Sequence, residues 1–65
     1  MTINTMQVEA VQAERGLTQT EIAVRSGISR QSLSTILRRG TATPQTVGKL
    51  ARGLGVPVSD IIKEA

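Results

Sequence analysis

The segment from Leu17 to Leu37, LTQTEIAVRSGISRQSLSTIL, carries the start and stop signals of two short helices in close succession. Thr18 precedes Glu21 by three residues, which is the spacing of a capping box at a helix start. Gly27 can adopt the left-handed conformation in which many helices end. Ser29 then provides the N-cap of the next helix. The sequence therefore predicts two helices joined by a tight turn.

The second of these helices has two different faces. Leu33, Ile36 and Leu37 recur at helical spacing and form an apolar side. The opposite side carries cations, an amide and small hydroxyl groups, but no acid: Arg30, Gln31, Ser34, Thr35 and Arg38. This arrangement is that of a helix-turn-helix, whose second helix can present such a polar face to a nucleic acid.

The charge distribution supports the same interpretation. The formal net charge is +3, and six of the eight Lys and Arg residues lie between Ile22 and Ser59, where there is no acid. A uniformly positive segment is the electrostatic signature of a protein that contacts phosphates. A basic surface that only favours solubility is the alternative.

Several residue types that other functions require are absent. The chain has no cysteine, histidine or aromatic residue. We therefore expect no catalytic residue, metal or cofactor, and no enzyme activity. Because unpaired bases are usually gripped by aromatic stacking, duplex DNA is favoured over single strands. No apolar run reaches membrane-spanning length and no signal peptide is visible, so we expect no membrane contact and a cytoplasmic location.

The remaining segments also have helical patterns. Residues 1–16 predict a first helix with Asn4 as N-cap and Gly16 as its end. Thr43 and Pro44 start a fourth helix, in which Gly48 and Gly53 either permit close packing or, for Gly53, belong to a fraying end. Residues 58–63 predict a short fifth helix. We therefore expect an all-α fold, a compact bundle of four to five short helices in a single domain over residues 1–65.

The apolar residues of the last helix suggest a subunit contact. Val58, Ile61 and Ile62 do not all face one small core, because adjacent helical residues point in different directions. An exposed isoleucine in so small a chain is a candidate dimer contact, although lone exposed aliphatic residues are also ordinary. These three residues are the predicted dimer interface.

The order of motifs along the chain resembles a known family. A first helix is followed by GLTQ-x-EIA, then by SGISRQSL, and then by P-x-TV-x-KLA-x-x-LGV. Together these resemble the lambda-repressor-like helix-turn-helix family, of the phage Cro, C-repressor or Xre type, over roughly residues 3–63. The resemblance implies a bacterial or phage-encoded protein with a bundle of four or five helices.

The resemblance also implies which residues face DNA. By this resemblance Thr18 and Gln19 would open the second helix, and Gln19 would touch a phosphate and brace the third helix. The residues that would read bases are Arg30, Gln31, Ser32 and Thr35. Phosphate contacts are expected from the helix starts, the outer face of the third helix and the loop that follows it. These residues are Thr18, Gln19, Ser29, Ser34, Arg38, Arg39 and Thr41.

For several of these residues, a purely structural role is the alternative to DNA contact. Arg25 is spaced for an exposed ion pair with Glu21, or it contacts phosphate. Arg38 and Arg39 are placed to offset the negative end of a helix dipole as well as to bind phosphate. Ser34 and Thr35 are ordinary residues for a solvated helix face.

Two positions depart from the family pattern. Gly40 comes about one residue late after the third helix, which leaves the winding of that helix end undecided. Gln12 stands where many relatives carry an arginine, so any ion pair made by that arginine is missing.

Taken together, the residues and the resemblance predict a sequence-specific regulator of transcription. We expect a repressor or autoregulator that binds double-stranded DNA as a homodimer on a near-palindromic operator. The alternative from another class is an antitoxin-like protein-interaction module that uses the same fold and has a protein as its main partner.

Overall fold

Local capping chemistry sets the limits of each helix. The computed structural model describes residues 1–63, in which four α-helices are formed: α1 (Thr5–Arg15), α2 (Gln19–Ser26), α3 (Arg30–Arg39) and α4 (Pro44–Leu54). Each begins after a side chain that accepts a backbone N–H bond, from Asn4, Thr18, Ser29 and Thr43. Each ends on a glycine with positive φ: Gly16, Gly27, Gly40 and Gly55. The predicted all-α class is confirmed.

Every helix contributes to one core. The largest fully buried side chains come from all four helices and from the segment after α4: Val8, Ile22, Leu33, Val47, Leu50, Leu54 and Ile61. Their 3.6-residue spacing within α4 is the pattern that the sequence shows. Because the core lies on the inner sides of α2 and α3, their outer sides remain available to solvent.

The predicted fifth helix is wrong. Beyond α4 the described chain forms only a 3₁₀ helix over Val58–Asp60, and residues 61–63 then pair with residues 2–4. The carbonyl of Ile61 accepts a bond from the Asn4 N–H at 2.8 Å, and Ile62 forms a bridge with Ile3. The Ile61 side chain is fully buried in the core, while that of Ile62 remains half-buried.

This geometry corrects the predicted dimer interface. Ile61 is fully buried within the single chain, so its side chain is not available to a second copy. Val58 and Ile62 are half-buried and pack against the core. Of the three predicted interface residues, only these two keep exposed surface.

The N-terminal residues are also extended rather than helical. The first helix begins at Thr5, directly after Asn4, which is the N-cap that the sequence predicts. The N–H of Ile3 donates to the Gly40 carbonyl at 2.7 Å, and the Lys63 N–H donates to the Thr2 carbonyl at 2.9 Å. Residues 1–4 therefore link the loop after α3 to the last described residues.

A close helix crossing joins α2 to α4. A Cβ added to Gly53 would overlap the Oγ of Ser26 and would lie 2.8 Å from its backbone nitrogen. Gly53 is buried inside α4, so it serves close packing and does not belong to a fraying end. Ser26 is 6% exposed, and its hydroxyl has no hydrogen-bond partner among residues 1–63.

We expect Gly53→Ala to lower the free energy of unfolding by about 1–3 kcal/mol, because the new methyl group forces α2 away from α4. Gly48→Ala is the matched control in the same helix, since a Cβ there meets nothing within 4 Å. It should raise stability by up to about 1 kcal/mol through helix propensity. Urea titrations of both variants measure the difference, and a stabilising Gly53→Ala would contradict the crossing.

Candidate nucleic-acid interface

A capping box and a glycine turn set the position of α3. The Thr18 N–H donates to Oε1 of Glu21 at 3.0 Å, and the Glu21 N–H donates to the Thr18 hydroxyl at 3.1 Å. Gly27 ends α2 with φ +71°, and its N–H reaches back to carbonyls of that helix. Two residues later the Ser29 hydroxyl caps α3. The turn predicted from the sequence is thus present in full.

The outer face of α3 is polar and accessible. Leu33 and Ile36 point into the core, and the predicted contact residues of this helix lie away from them. All are exposed except Thr35, which is half-buried: Arg30, Gln31, Ser32, Ser34, Thr35, Arg38 and Arg39. α3 continues to Arg39 and closes on Gly40 with φ +74°, so the late glycine lengthens the helix without disordering its end.

An open groove of about 770 Å³ runs beside α3. It brings together five of the predicted contact residues, namely Gln31, Ser32, Thr35, Arg39 and Thr41. Five of the eleven lining residues carry hydroxyl groups, four are apolar, and Arg39 is the charged side chain among them. A positive, hydroxyl-rich channel of this kind suits a polyanionic strand.

Two groove residues have hydroxyl groups already engaged inside the fold. The Thr35 hydroxyl donates to the Gln31 carbonyl at 3.0 Å, which leaves its oxygen lone pairs and its methyl group for an outside partner. The Ser29 hydroxyl donates to that of Ser32 at 2.8 Å, so Ser32 keeps its own hydroxyl proton. Thr35 is therefore suited to contact a thymine methyl group, and Ser32 to donate a hydrogen bond.

Arg30 lies on the other flank of α3. Its Nη1 donates to the Thr20 hydroxyl of α2 at 2.9 Å, and it does not line the groove. Arg30 is thus separated from Gln31, its predicted partner in base reading, although the two are adjacent in sequence.

The remaining predicted phosphate contacts surround this face. Thr18, Gln19 and Ser29 lie at the starts of α2 and α3, where backbone N–H groups and the helix dipole favour anions. Ser34 and Arg38 are exposed on the outer side of α3, and they are not part of the groove.

Sequence reasoning missed four residues around this site. Thr43 and Thr46 line the groove, and their hydroxyl groups are joined at 2.9 Å. The sequence showed Thr43 only as a helix cap. Met1 enters the groove because residues 1–4 pair with the loop at Gly40, a long-range contact with no local signal. Thr20, the partner of Arg30, had no signal either.

The fold and the motif order agree with a known family. A sequence model described as helix-turn-helix matches residues 9–61. This chain belongs to the lambda-repressor-like helix-turn-helix family. The resemblance inferred from the motifs is thereby confirmed, and α2 and α3 are the family's helix-turn-helix.

One curated relative extends the comparison. The HTH-type transcriptional repressor RghR of Bacillus subtilis (strain 168) is 36% identical over 61 residues. The match covers 91% of this chain but 45% of that protein, so this chain spans less than half of the relative's length. No solved structure matches the chain significantly. Within residues 1–63, every helix is too short or too polar to cross a bilayer.

The capping box makes the start of α2 sensitive to pH. The backbone N–H of Thr18, then its hydroxyl, and to a smaller extent Arg25, lower the pKa of the Glu21 carboxyl, against a weaker opposing effect of desolvation. Since the folded-state pKa is depressed, the stabilising effect of ionised Glu21 is complete above the ordinary carboxyl pKa. It is lost as pH falls through the folded-state value.

We expect Glu21→Gln to differ most from the parent in unfolding free energy at neutral pH. Glutamine can accept the same bond but does not titrate, so the two proteins should converge as the pH is lowered through the acid range. Urea midpoints measured from neutral to acid pH test this. Parallel curves for the two proteins would show that the Thr18–Glu21 bonds do not perturb the carboxyl.

Proposed function

We propose that this chain is a sequence-specific, double-stranded-DNA-binding regulator of transcription that acts as a repressor. The observation that carries the proposal is the exposed, acid-free outer face of α3 beside a hydroxyl-lined groove. The name of the Bacillus relative, a transcriptional repressor, is consistent with this function. The absence of aromatic residues from the sequence favours duplex over single-stranded DNA.

In this proposal α3 enters the major groove of DNA. Gln31 has an amide that can pair bidentately with adenine, and Arg30 a guanidinium that can pair with guanine. Arg39 and Thr41, at the loop after α3, contact the backbone, as do the N–H groups at the starts of α2 and α3. Backbone contacts set the register of the protein on the duplex, while base contacts discriminate between sequences.

We further propose that the protein binds as a homodimer on a near-palindrome. One module of this size makes too few contacts for a selective site, and a second copy doubles them. Val58 and Ile62, which keep exposed surface near the end of the described chain, are the candidate contacts between copies.

Substitution of Arg39 tests phosphate contact. We expect Arg39→Ala to weaken binding to all duplexes alike and to reduce the slope of log affinity against log salt by about 1. Arg15→Ala is the control, because it removes the same charge from a residue that is not among the predicted DNA contacts. The Arg15 guanidinium donates instead to the Gly55 carbonyl at the end of α4. Fluorescence anisotropy over a range of salt concentrations measures both. Equal slopes in the two variants would remove Arg39 from the interface.

Substitution of Gln31 tests base reading. Gln31→Ala should lose about 1–3 kcal/mol of discrimination at one base pair of the preferred site. The site is found by selection from random duplexes and from the DNA upstream of the gene. A parent protein that selects no sequence, yet retains a protein partner in a pull-down, would replace this function with the protein-interaction alternative.

Insertion of base pairs tests the dimer. Half-sites about 34 Å apart lie on one face of the duplex. Adding about half a helical turn between them should abolish cooperative binding, whereas adding a full turn should restore part of it. Gel shifts on the three duplexes provide the measurement, and equal binding to all three would indicate independent monomers.

A further inference from the structure

The bond between Arg30 and Thr20 connects the two helices of the helix-turn-helix. Thr20 is the second residue of α2 and Arg30 the first residue of α3. Nη1 of Arg30 donates to Oγ1 of Thr20 at 2.9 Å, and both residues are exposed. The family resemblance assigns the brace between these helices to Gln19, whereas here the next residue in the chain makes this contact.

The bond leaves most of the guanidinium available. A guanidinium has five N–H donors in a fixed planar fork, and Thr20 takes one of them. The Nε and Nη2 donors remain as a parallel pair, which is the arrangement that reads O6 and N7 of guanine. A hydrogen bond to Thr20 and a bidentate bond to a base are therefore compatible.

The partner of Arg30 is neutral, which preserves the charge of the arginine for DNA. The nearby acid of α2, Glu21, has its carboxylate bound to the Thr18 N–H at the start of the helix. A hydroxyl restricts the guanidinium without cancelling its positive charge, as a carboxylate would. A restricted side chain also loses less conformational freedom when it binds a base.

We propose that Thr20 is a positioning residue that determines specificity: it holds the Arg30 guanidinium in the direction from which Arg30 reads a guanine. The inference rests on the proposed DNA-binding function and deepens it. It assigns to Thr20 of α2 a role in sequence selection that is exerted through Arg30.

The experiment first locates the base pair that Arg30 reads. Duplexes are selected with the parent protein, and the base pair whose preference is lost in Arg30→Ala is identified. The ratio of affinities for the preferred and the substituted base pair is then measured for Thr20→Val, Thr20→Ser and the double variant Thr20→Val/Arg30→Ala. Valine has the shape of threonine without its hydroxyl, while serine keeps the hydroxyl.

We expect Thr20→Val to lower this ratio about two- to tenfold, as for the loss of one hydrogen bond. Thr20→Ser should restore it, and the double variant should match Arg30→Ala alone. Preferences at the other base pairs should not change, since a general structural defect would affect all of them. Thermal melting of each variant checks that the fold is retained.

Two results overturn the inference. One is an unchanged ratio in Thr20→Val while Arg30→Ala lowers it. The other is an equal effect of Thr20→Val with and without Arg30, which would mean that Thr20 acts independently. A parent protein that selects no duplex contradicts the proposed function instead, so the two failures are distinguishable.

Discussion

The contact of Ser26 with Gly53 determines where the helix-turn-helix lies on the rest of the fold. At this point α2 and α4 approach so closely that no side chain larger than hydrogen fits on Gly53. The crossing leaves a buried hydroxyl on Ser26 without a partner among residues 1–63, which is an unfavourable feature. The fold accepts it because close helix packing brings the apolar sides of both helices into one core. The outer face of α3 lies on the side away from this core and is exposed.

A second constraint acts at the end of α3. Residues 1–4 are hydrogen-bonded on one side to the loop at Gly40 and on the other to residues 61–63. The loop that carries Thr41 is thereby connected to the core, since Ile3 and Ile61 are both buried. In the proposed complex with DNA, a loop held in this way would have little conformational freedom left to lose on binding.

The proposed interface has two flanks of different character. On one flank Gln31, Thr35 and Arg39 border the groove with Thr41. On the other, Arg30 is bonded to Thr20 of α2. Adjacent residues of a helix point about 100° apart, so Arg30 and Gln31 project in different directions from the same helix. Base reading by both would span the width of α3, with the phosphate contacts around them.

Features that depend on short-range chemistry can be predicted from the amino-acid sequence alone. The four N-caps, the glycine helix ends, the apolar side of α4 and the polar face of α3 each follow from groups within about four positions of one another. Contacts between distant residues required the folded chain: the crossing at Gly53, the extended residues 1–4, the burial of Ile61 and the bond of Arg30 to Thr20. Helical periodicity predicted a fifth helix because a local pattern contains no information about distant hydrogen bonds, such as the one that the Asn4 N–H donates to the Ile61 carbonyl. A backbone group satisfied from across the fold no longer needs the helix that its own neighbours would form.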